Sequence, residues 1–456
     1  MFNKVIHLSF FLVCLLTSYF LGLAFYDATK GLDYGKYFLN VKFFMGEQVQ
    51  LIDGNGSLYY YLISKAVGKN NIATDQENLN IIINNSIQSI NFLFFIFGLI
   101  GLYIIFKKKN FKTVNILYSF SILSFLPTAF YFRLTMKPEA MAFGLLPWTI
   151  YFLDNYFKKK TFPNIFFSVL TLSTLLTIKG SITGMTLICL VYLYRDKIFK
   201  NYDFKVLVLL SSVTSWAFIF INKTITNLSV FSNNNHITDL TNSQRWNNTA
   251  GLSFFTNIDF KNLLENPYQY IHSDSFISII LLDTLSDYFR FFWQHQEETN
   301  YISFGQVQFT NNFLIQRYLP QYSSIIFSAI FYSLILILVL KNVENKEYLL
   351  MPIFGISVLV LNSLGFPNNN FDPTTGDLFK VHYYSYLVAI SFFTLLLITF
   401  RKYRLSKYFC LLLIPIFLYS IGFPKTLSPN TEEELYNKIS KSELCFIIQE
   451  MDKVNC

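Results

Sequence analysis

Apolar runs of spanning or near-spanning length recur along this chain, and short clusters of Lys and Arg separate alternate runs. The runs fall at about 5–26, 82–106, 113–132, 140–157, 164–178, 181–194, 204–221, 322–340, 348–365, 383–400 and 408–423. A helix needs about 20 residues to cross the hydrocarbon of a bilayer, so 164–178 and 181–194 are short for that task. They form either two spans or one bent, re-entrant unit broken at Lys179-Gly180. Counting them as two closes the charge pattern. With the N-terminus inside, the inner segments hold Lys4; Lys107, Lys108, Lys109 and Lys112; Lys158, Lys159 and Lys160; Arg195, Lys197, Lys200 and Lys205; Lys341 and Lys346; and Arg401, Lys402, Arg404 and Lys407. That is half of the 36 basic residues packed into short loops, while the other half is spread over much longer outer segments, as the positive-inside rule requires. The expectation is an all-α integral membrane protein with about eleven transmembrane helices. It is multi-pass in the plasma (inner) membrane, with the N-terminus cytoplasmic and the C-terminus outside.

Composition supports a lipid solvent: 53% of residues are hydrophobic and 14% charged, against roughly 25% charged in soluble domains. The formal net charge of +8 raises the question of nucleic acid, but these cations sit between apolar runs, which is a topology signal and not a DNA patch. The first run follows Lys4 and could be a cleavable signal peptide. Its apolar length exceeds the roughly 7–15 residues of such segments and no small-x-small site follows, so an uncleaved span is expected. Cys14, Cys189 and Cys410 fall inside spans, where cysteine packs as a small apolar residue. Cys445 and Cys456 lie in the outer tail, where an oxidising compartment could join them. No zinc-type spacing occurs.

No repeat, Gly/Ser linker or low-complexity tract divides the chain, so residues 1–456 read as one membrane domain. Its outer segments are 27–81, 222–321 and the tail 424–456. Two stretches look interfacial. Residues 34–45 place Tyr37, Phe38, Val41, Phe44 and Met45 on one side, with Lys36, Asn40 and Lys42 away from it. Residues 275–295 are apolar and aromatic but carry two Asp and an Arg, which predicts a partly submerged helix packed against the bundle.

The outer-face groups able to do chemistry are Asp27, Asp33, Arg133, Lys137, Glu139, Asp283, Asp287, Arg290, Asp377 and Lys380. Sugar transfer from a lipid-linked sugar phosphate uses such groups naturally. The phosphate is already a good leaving group; what remains is a carboxylate to take the proton of the attacking hydroxyl and cations to hold the departing phosphate. Both must sit at the membrane surface, because the donor's tail stays in the bilayer.

These residues resemble a family. Asp33-Tyr34-Gly35-Lys36-Tyr37, then Gly46, then Gly56-Ser57-Leu58-Tyr59-Tyr60-Tyr61, is similar to the first outer loop of the GT-C membrane glycosyltransferases, among them the protein mannosyltransferases and the aminoarabinose transferase of lipid A. Arg133 to Glu139 and Lys380-Val381-His382-Tyr383-Tyr384-Ser385-Tyr386 extend the likeness. The chain departs from the pattern in having Asp33-Tyr34 where many relatives pair two acids, and in lacking the Pro-Pro that precedes the aromatic pair. The resemblance implies a GT-C-like helical fold and a polyprenyl-phosphate-linked sugar donor. It also implies transfer on the periplasmic or luminal face, inverting at the sugar, to a glycan, lipid or protein acceptor. In that reading Asp33 is the general base and Asp27 the second choice. Glu139 is a further acid of the site, and Lys380, Arg133 and Lys137 hold the donor phosphate.

Each residue also has a plainer reading. Asp33 is a fit N-cap for a helix beginning at Tyr34, and Asp27 ends the first span. Glu139 follows Pro138 at a helix start, where the dipole stabilises a carboxylate regardless of function. Arg133, Lys137 and Lys380 each suit a snorkelling anchor. Asp283 and Asp287 share a helix face and either repel one another, offset by Arg290, or bind substrate or a divalent metal, the one cofactor these residues suggest. His7 and His236 do not look like ligands. Two other functions compete: an outer-leaflet oligosaccharide polymerase or ligase, which would lean on outer Arg and His, and a polytopic transporter, which would need mid-membrane ionisable residues and related halves.

Overall fold

The computed structural model describes residues 2–25, 28, 34–46, 57–68, 76–200, 202–225, 253–256, 258, 260–265, 275–284, 311–365, 381–403 and 405–420, and every regular element among them is helical. In chain order the principal helices are α1 (Phe2–Phe25), α2 (Tyr34–Met45), α3 (Ser57–Val67), α4 (Gln76–Lys108), α5 (Thr113–Leu123), α6 (Pro127–Leu134) and α7 (Glu139–Lys158). They continue with α8 (Phe162–Leu176), α9 (Gly180–Leu193), α10 (Tyr202–Ile225), α11 (Phe276–Asp283), α12 (Asn311–Leu340), α13 (Met351–Gly365) and α14 (Ser385–Lys402). A 3-10 turn, Val381–Tyr384, leads directly into α14.

Three of these helices, spanning Val5–Ala24, Asn78–Lys108 and Ser385–Lys402, are long and apolar enough to cross a membrane; a fourth crossing results if α5 and α6, bent by 65°, count as one. Several other expected spans are shorter apolar helices among the described residues, including Phe162–Ile178, Gly180–Leu193 and Met351–Leu361. The cause is local. Pro127 has no amide to continue the α5 ladder and restricts the residue before it, so the run at 113–132 divides. The run at 408–423 divides likewise, into Ser406–Cys410 and Leu413–Ser420.

Helices α4 and α7 run parallel and pack most closely, through small residues as bundles in lipid require. A Cβ added at Gly98 would stand 2.6 Å from the Phe143 ring, one at Gly101 2.8 Å from Pro147, and one at Gly144 2.9 Å from the Phe94 carbonyl. Phe97 stacks on Trp148 beside this seam. The most deeply buried spanning helix is α14, whose Phe393 stacks on Phe120 and meets Phe106 edge-on.

The expected inner clusters gather at one end of the bundle. Lys108 Nζ donates to Asn155 and lies over Tyr151, Lys109 Nζ donates to Asn345 and lies over Tyr348, and Arg401 pairs with Glu344. Lys160 pairs with Asp203, and Lys407 lies over Tyr118. The short helices α8 and α9 run in opposite directions: Lys179 between them meets Glu139 at the start of α7, while Tyr194 at the end of α9 donates to Ile150 O near the other end of α7. The break at Lys179-Gly180 is therefore a reversal of the chain.

The interfacial reading of 34–45 needs one change. Tyr37, Val41 and Met45 are buried and Lys42 folds over Phe38, but Asn40 is fully buried and not turned away. Helix α2 packs against α3 on one side, with Phe44 edge-on to Tyr61, so its covered arc is wider than that of a helix resting on lipid. Of 275–295, the described portion is α11. Ser275 caps it by accepting from the Ser278 amide, Ile279 and Leu282 are buried, and Thr284 bonds Tyr332 of α12.

Candidate functional site

The end of the bundle opposite the basic clusters is built from helix breaks, because the sequence there repeatedly interrupts its own ladders. Pro138, without an amide to offer, ends the link from α6 and places Glu139 in the first turn of α7. Lys179 is extended at φ −166° and caps α9. The Val381–Tyr384 turn touches α6, α7 and α9. Helices α2 and α3 of the first outer segment pack on the same end: Tyr59 at the start of α3 donates to Asn91 of α4, whose amide in turn holds the carbonyls of Arg133 (3.1 Å) and Thr135 (2.8 Å).

At the centre is Glu139. Its side chain is 0% exposed, and among the described residues neither carboxylate oxygen has a hydrogen-bond partner. The Lys179 ammonium, 13% exposed, stands 3.6 Å from Oε1, close enough for ion pairing and beyond hydrogen-bond distance. Lys179 also lies 4.1 Å from the Tyr383 ring centroid. Lys137, buried, approaches the rings of Tyr131 at 5.9 Å and Tyr37 at 6.0 Å, and Tyr37 stacks on Tyr60 at 5.6 Å. Burial pushes the Tyr59 phenol well above its ordinary range; the hydrogen bond it donates to Asn91 opposes the rise and the Glu139 charge adds to it. Tyr386 faces Thr186 of α9 across 3.4 Å. Two cations, one carboxylate and a shell of tyrosines thus meet where three breaks converge.

Arg133 belongs to a different arrangement. Its Nε donates to Ala129 O (3.1 Å), Nη1 to Ser18 Oγ of α1 (3.0 Å) and Nη2 to Ser124 O (2.7 Å). The guanidinium lies between the rings of Phe95 (4.7 Å) and Phe130 (4.5 Å). Ser124 closes α5, so Arg133 supplies a donor to a carbonyl that the bend at Pro127 leaves outside the helix ladder. With each of its three nitrogens donating to a protein oxygen, Arg133 acts as a brace across α1, α5 and α6.

Of the other expected site residues, Asp27, Asp33, Asp287, Arg290, Asp377 and Lys380 lie outside the described residues, as do Cys445 and Cys456. Asp33 immediately precedes α2 in sequence, and Lys380 immediately precedes the 3-10 turn. Asp283 is the last residue of α11. Among the described residues no three His, Cys, Asp or Glu side chains gather as a metal site would require. The sequence reading brought Lys137 and Glu139 to this site but passed over Lys179 as a ligand, although a lysine interrupting two apolar runs was the signal for it. Asn91 gave no such signal, being one of several polar residues, with Asn84, Asn85, Gln88 and Ser89, in the first half of a long helix. Compared with known proteins, the chain matches no family model, no curated protein and no solved structure.

Proposed function

We propose that this chain is a membrane glycosyltransferase that moves a sugar from a polyprenyl-phosphate-linked donor to an acceptor on the outer, periplasmic or luminal face. The observation that supports this reading best is the convergence of Glu139, Lys179, Lys137 and the tyrosines of α2, α3 and α14 at one end of a helical bundle whose other end is ringed by Lys and Arg. Positive clusters favour the cytoplasm, so the site faces outward and the N-terminus lies inside. In this reading the plasma membrane is crossed about eleven times, the shorter helices included.

The mechanism follows from the transferase reading. The acceptor hydroxyl attacks the anomeric carbon from the face opposite the phosphate. As the new C–O bond forms, the bond from the anomeric carbon to the phosphate oxygen breaks, and the anomeric configuration inverts. Asp33, which begins the segment carrying Tyr37, takes the hydroxyl proton. Polyprenyl phosphate leaves with the bonding pair, its negative charge held by Lys380 and Lys137. Glu139 and Lys179 form the wall against which the donor's polar head lies. Acceptor choice resides in 222–321 and the tail.

Asp33→Asn is the direct test. It keeps the side chain's size but removes its capacity to accept a proton, so transfer from a radiolabelled polyprenyl-phosphate donor in detergent should fall on the order of 10²–10⁴-fold with insertion intact. Asp27→Asn should do less; reversal of the two identifies Asp27 as the base, and normal turnover by both defeats this mechanism.

A further inference from the structure

A carboxylate that is fully buried without a hydrogen bond is costly to keep, and among the described residues Glu139 is in that state. Its charge is met by Lys179 at 3.6 Å, but its lone pairs are not. The group lacks donors, and a ligand that fits supplies several O–H or N–H groups in a small space. The surroundings restrict the ligand further. The Tyr383 ring lies 4.1 Å from the Lys179 ammonium, an aromatic face of the kind that covers the C–H face of a sugar ring.

Resting on the transferase reading, we propose that Glu139 is the sugar-recognition residue of this site and that Lys179 tunes it to a neutral, hydroxylated sugar while rejecting a cationic amino sugar. Neighbouring hydroxyls donate to the two oxygens of Glu139 and satisfy them. An ammonium on the sugar would donate to Glu139 equally well, but it would stand within about 4–6 Å of the Lys179 ammonium, a distance at which like charges withdrawn from water strongly disfavour one another. Lys179 already neutralises Glu139, so a second cation gains little attraction and meets the full repulsion. Lys179 is thus a specificity-determining residue that acts through charge and Glu139 the one that touches the sugar.

The test uses the full chain in detergent micelles at neutral pH and three probes of equal chain length: undecaprenyl phosphate, the same lipid carrying a neutral hexose, and the same lipid carrying a 4-amino sugar. The hexose lipid should bind on the order of 10–100-fold tighter than the bare lipid phosphate, the worth of a hydrogen bond or two to a charged acceptor. The amino-sugar lipid should lose most of that gain. Glu139→Gln should erase the hexose advantage, Glu139→Asp should keep part of it, and Lys179→Gln should turn the preference toward the amino sugar. A wild type that prefers the amino sugar, or shows no sugar-dependent gain, overturns the inference. So does Glu139→Gln with the gain intact, the result expected if water alone satisfies the carboxylate. Should Glu139→Gln fail to fold, the Lys179→Gln preference decides alone. If the gain depends on Glu139 but no acceptor or water ever receives the sugar, the recognition site stands and the transferase reading falls. If transfer proceeds while Glu139→Gln binds hexose lipid as the wild type does, the reverse holds.

Discussion

Replacing Arg133 separates a brace from a phosphate ligand, because the two roles order its substitutions oppositely. Arg133→Leu removes the donor to Ser124 O at 2.7 Å and that to Ser18 Oγ at 3.0 Å. The Ser18 hydroxyl keeps its own bond to Leu15 O at 2.8 Å, so the main loss is one buried carbonyl, about 1–3 kcal/mol, offset because a buried charge also disappears. Arg133→Lys keeps the charge but has a single nitrogen for three directions. It leaves an acceptor unmet and an ammonium short of acceptors between two phenyl rings, and should cost about 2–4 kcal/mol, more than leucine. SDS-unfolding midpoints of the purified protein measure the order. Binding of undecaprenyl phosphate to the folded fraction should be unchanged in both variants. If lysine is tolerated, and leucine keeps full stability but loses the lipid phosphate, Arg133 is a ligand and the bracing argument is refuted.

Gly98→Ala should destabilise the bundle by about 1–3 kcal/mol, since its Cβ would stand 2.6 Å from the Phe143 ring and 2.7 Å from its carbonyl oxygen, a backbone atom that cannot swing away; a wild-type unfolding midpoint would show that α4 and α7 separate freely. Asn91→Leu removes the amide joining Tyr59 to the Arg133 and Thr135 carbonyls and should lower stability by about 1–3 kcal/mol and the proposed transfer by roughly 10-fold or more; unchanged turnover would detach α3 from the site. Cysteine labelling from the outer face should reach Ser243→Cys but not Lys160→Cys, and labelling of both would sink the proposed orientation. If Asp283 and Asp287 bind a divalent ion, excess chelator should lower transfer and Asp283→Asn should abolish that sensitivity; full activity in chelator ends the metal reading.

Much of the fold was legible because a lipid solvent leaves a simple code. Long apolar runs became α1, α4 and α14, and the basic clusters came to one end of the bundle. What the code does not carry is how a run is subdivided. Pro138 marks the helix start at Glu139, but the run at 113–132 reads as one span although Pro127 divides it, and across the 65° bend Arg133 reaches back to Ser124, a contact that hydropathy cannot encode. The candidate site was half legible for the same reason. Lys137 and Glu139 stand out as charges beside a proline, whereas Lys179 is distant in sequence and reaches Glu139 only because α8 and α9 reverse direction between them. Asn40 is fully buried although the spacing of apolar residues in 34–45 turns it outward, since such a pattern describes only one covered face.

The reversal at Lys179 also bears on the surrounding lipid. Helices α8 and α9 have 15 and 14 residues, about 22 Å of rise against roughly 30 Å of hydrocarbon. Phe162, Phe166, Phe167 and Leu170 line the exposed side of α8. A bilayer meeting so short an apolar wall thins beside it, at a cost of fractions of a kcal/mol per ångström. In the proposed orientation the dent would draw the outer leaflet's headgroups down toward the level of Lys179 and Glu139, and the proposed lipid-phosphate donor would reach them with less of its chain lifted from the membrane. Acyl-chain length would then be a variable of the proposed transfer: short-chain bilayers accommodate this wall without strain, and thick ones must be deformed each time the protein is embedded in them.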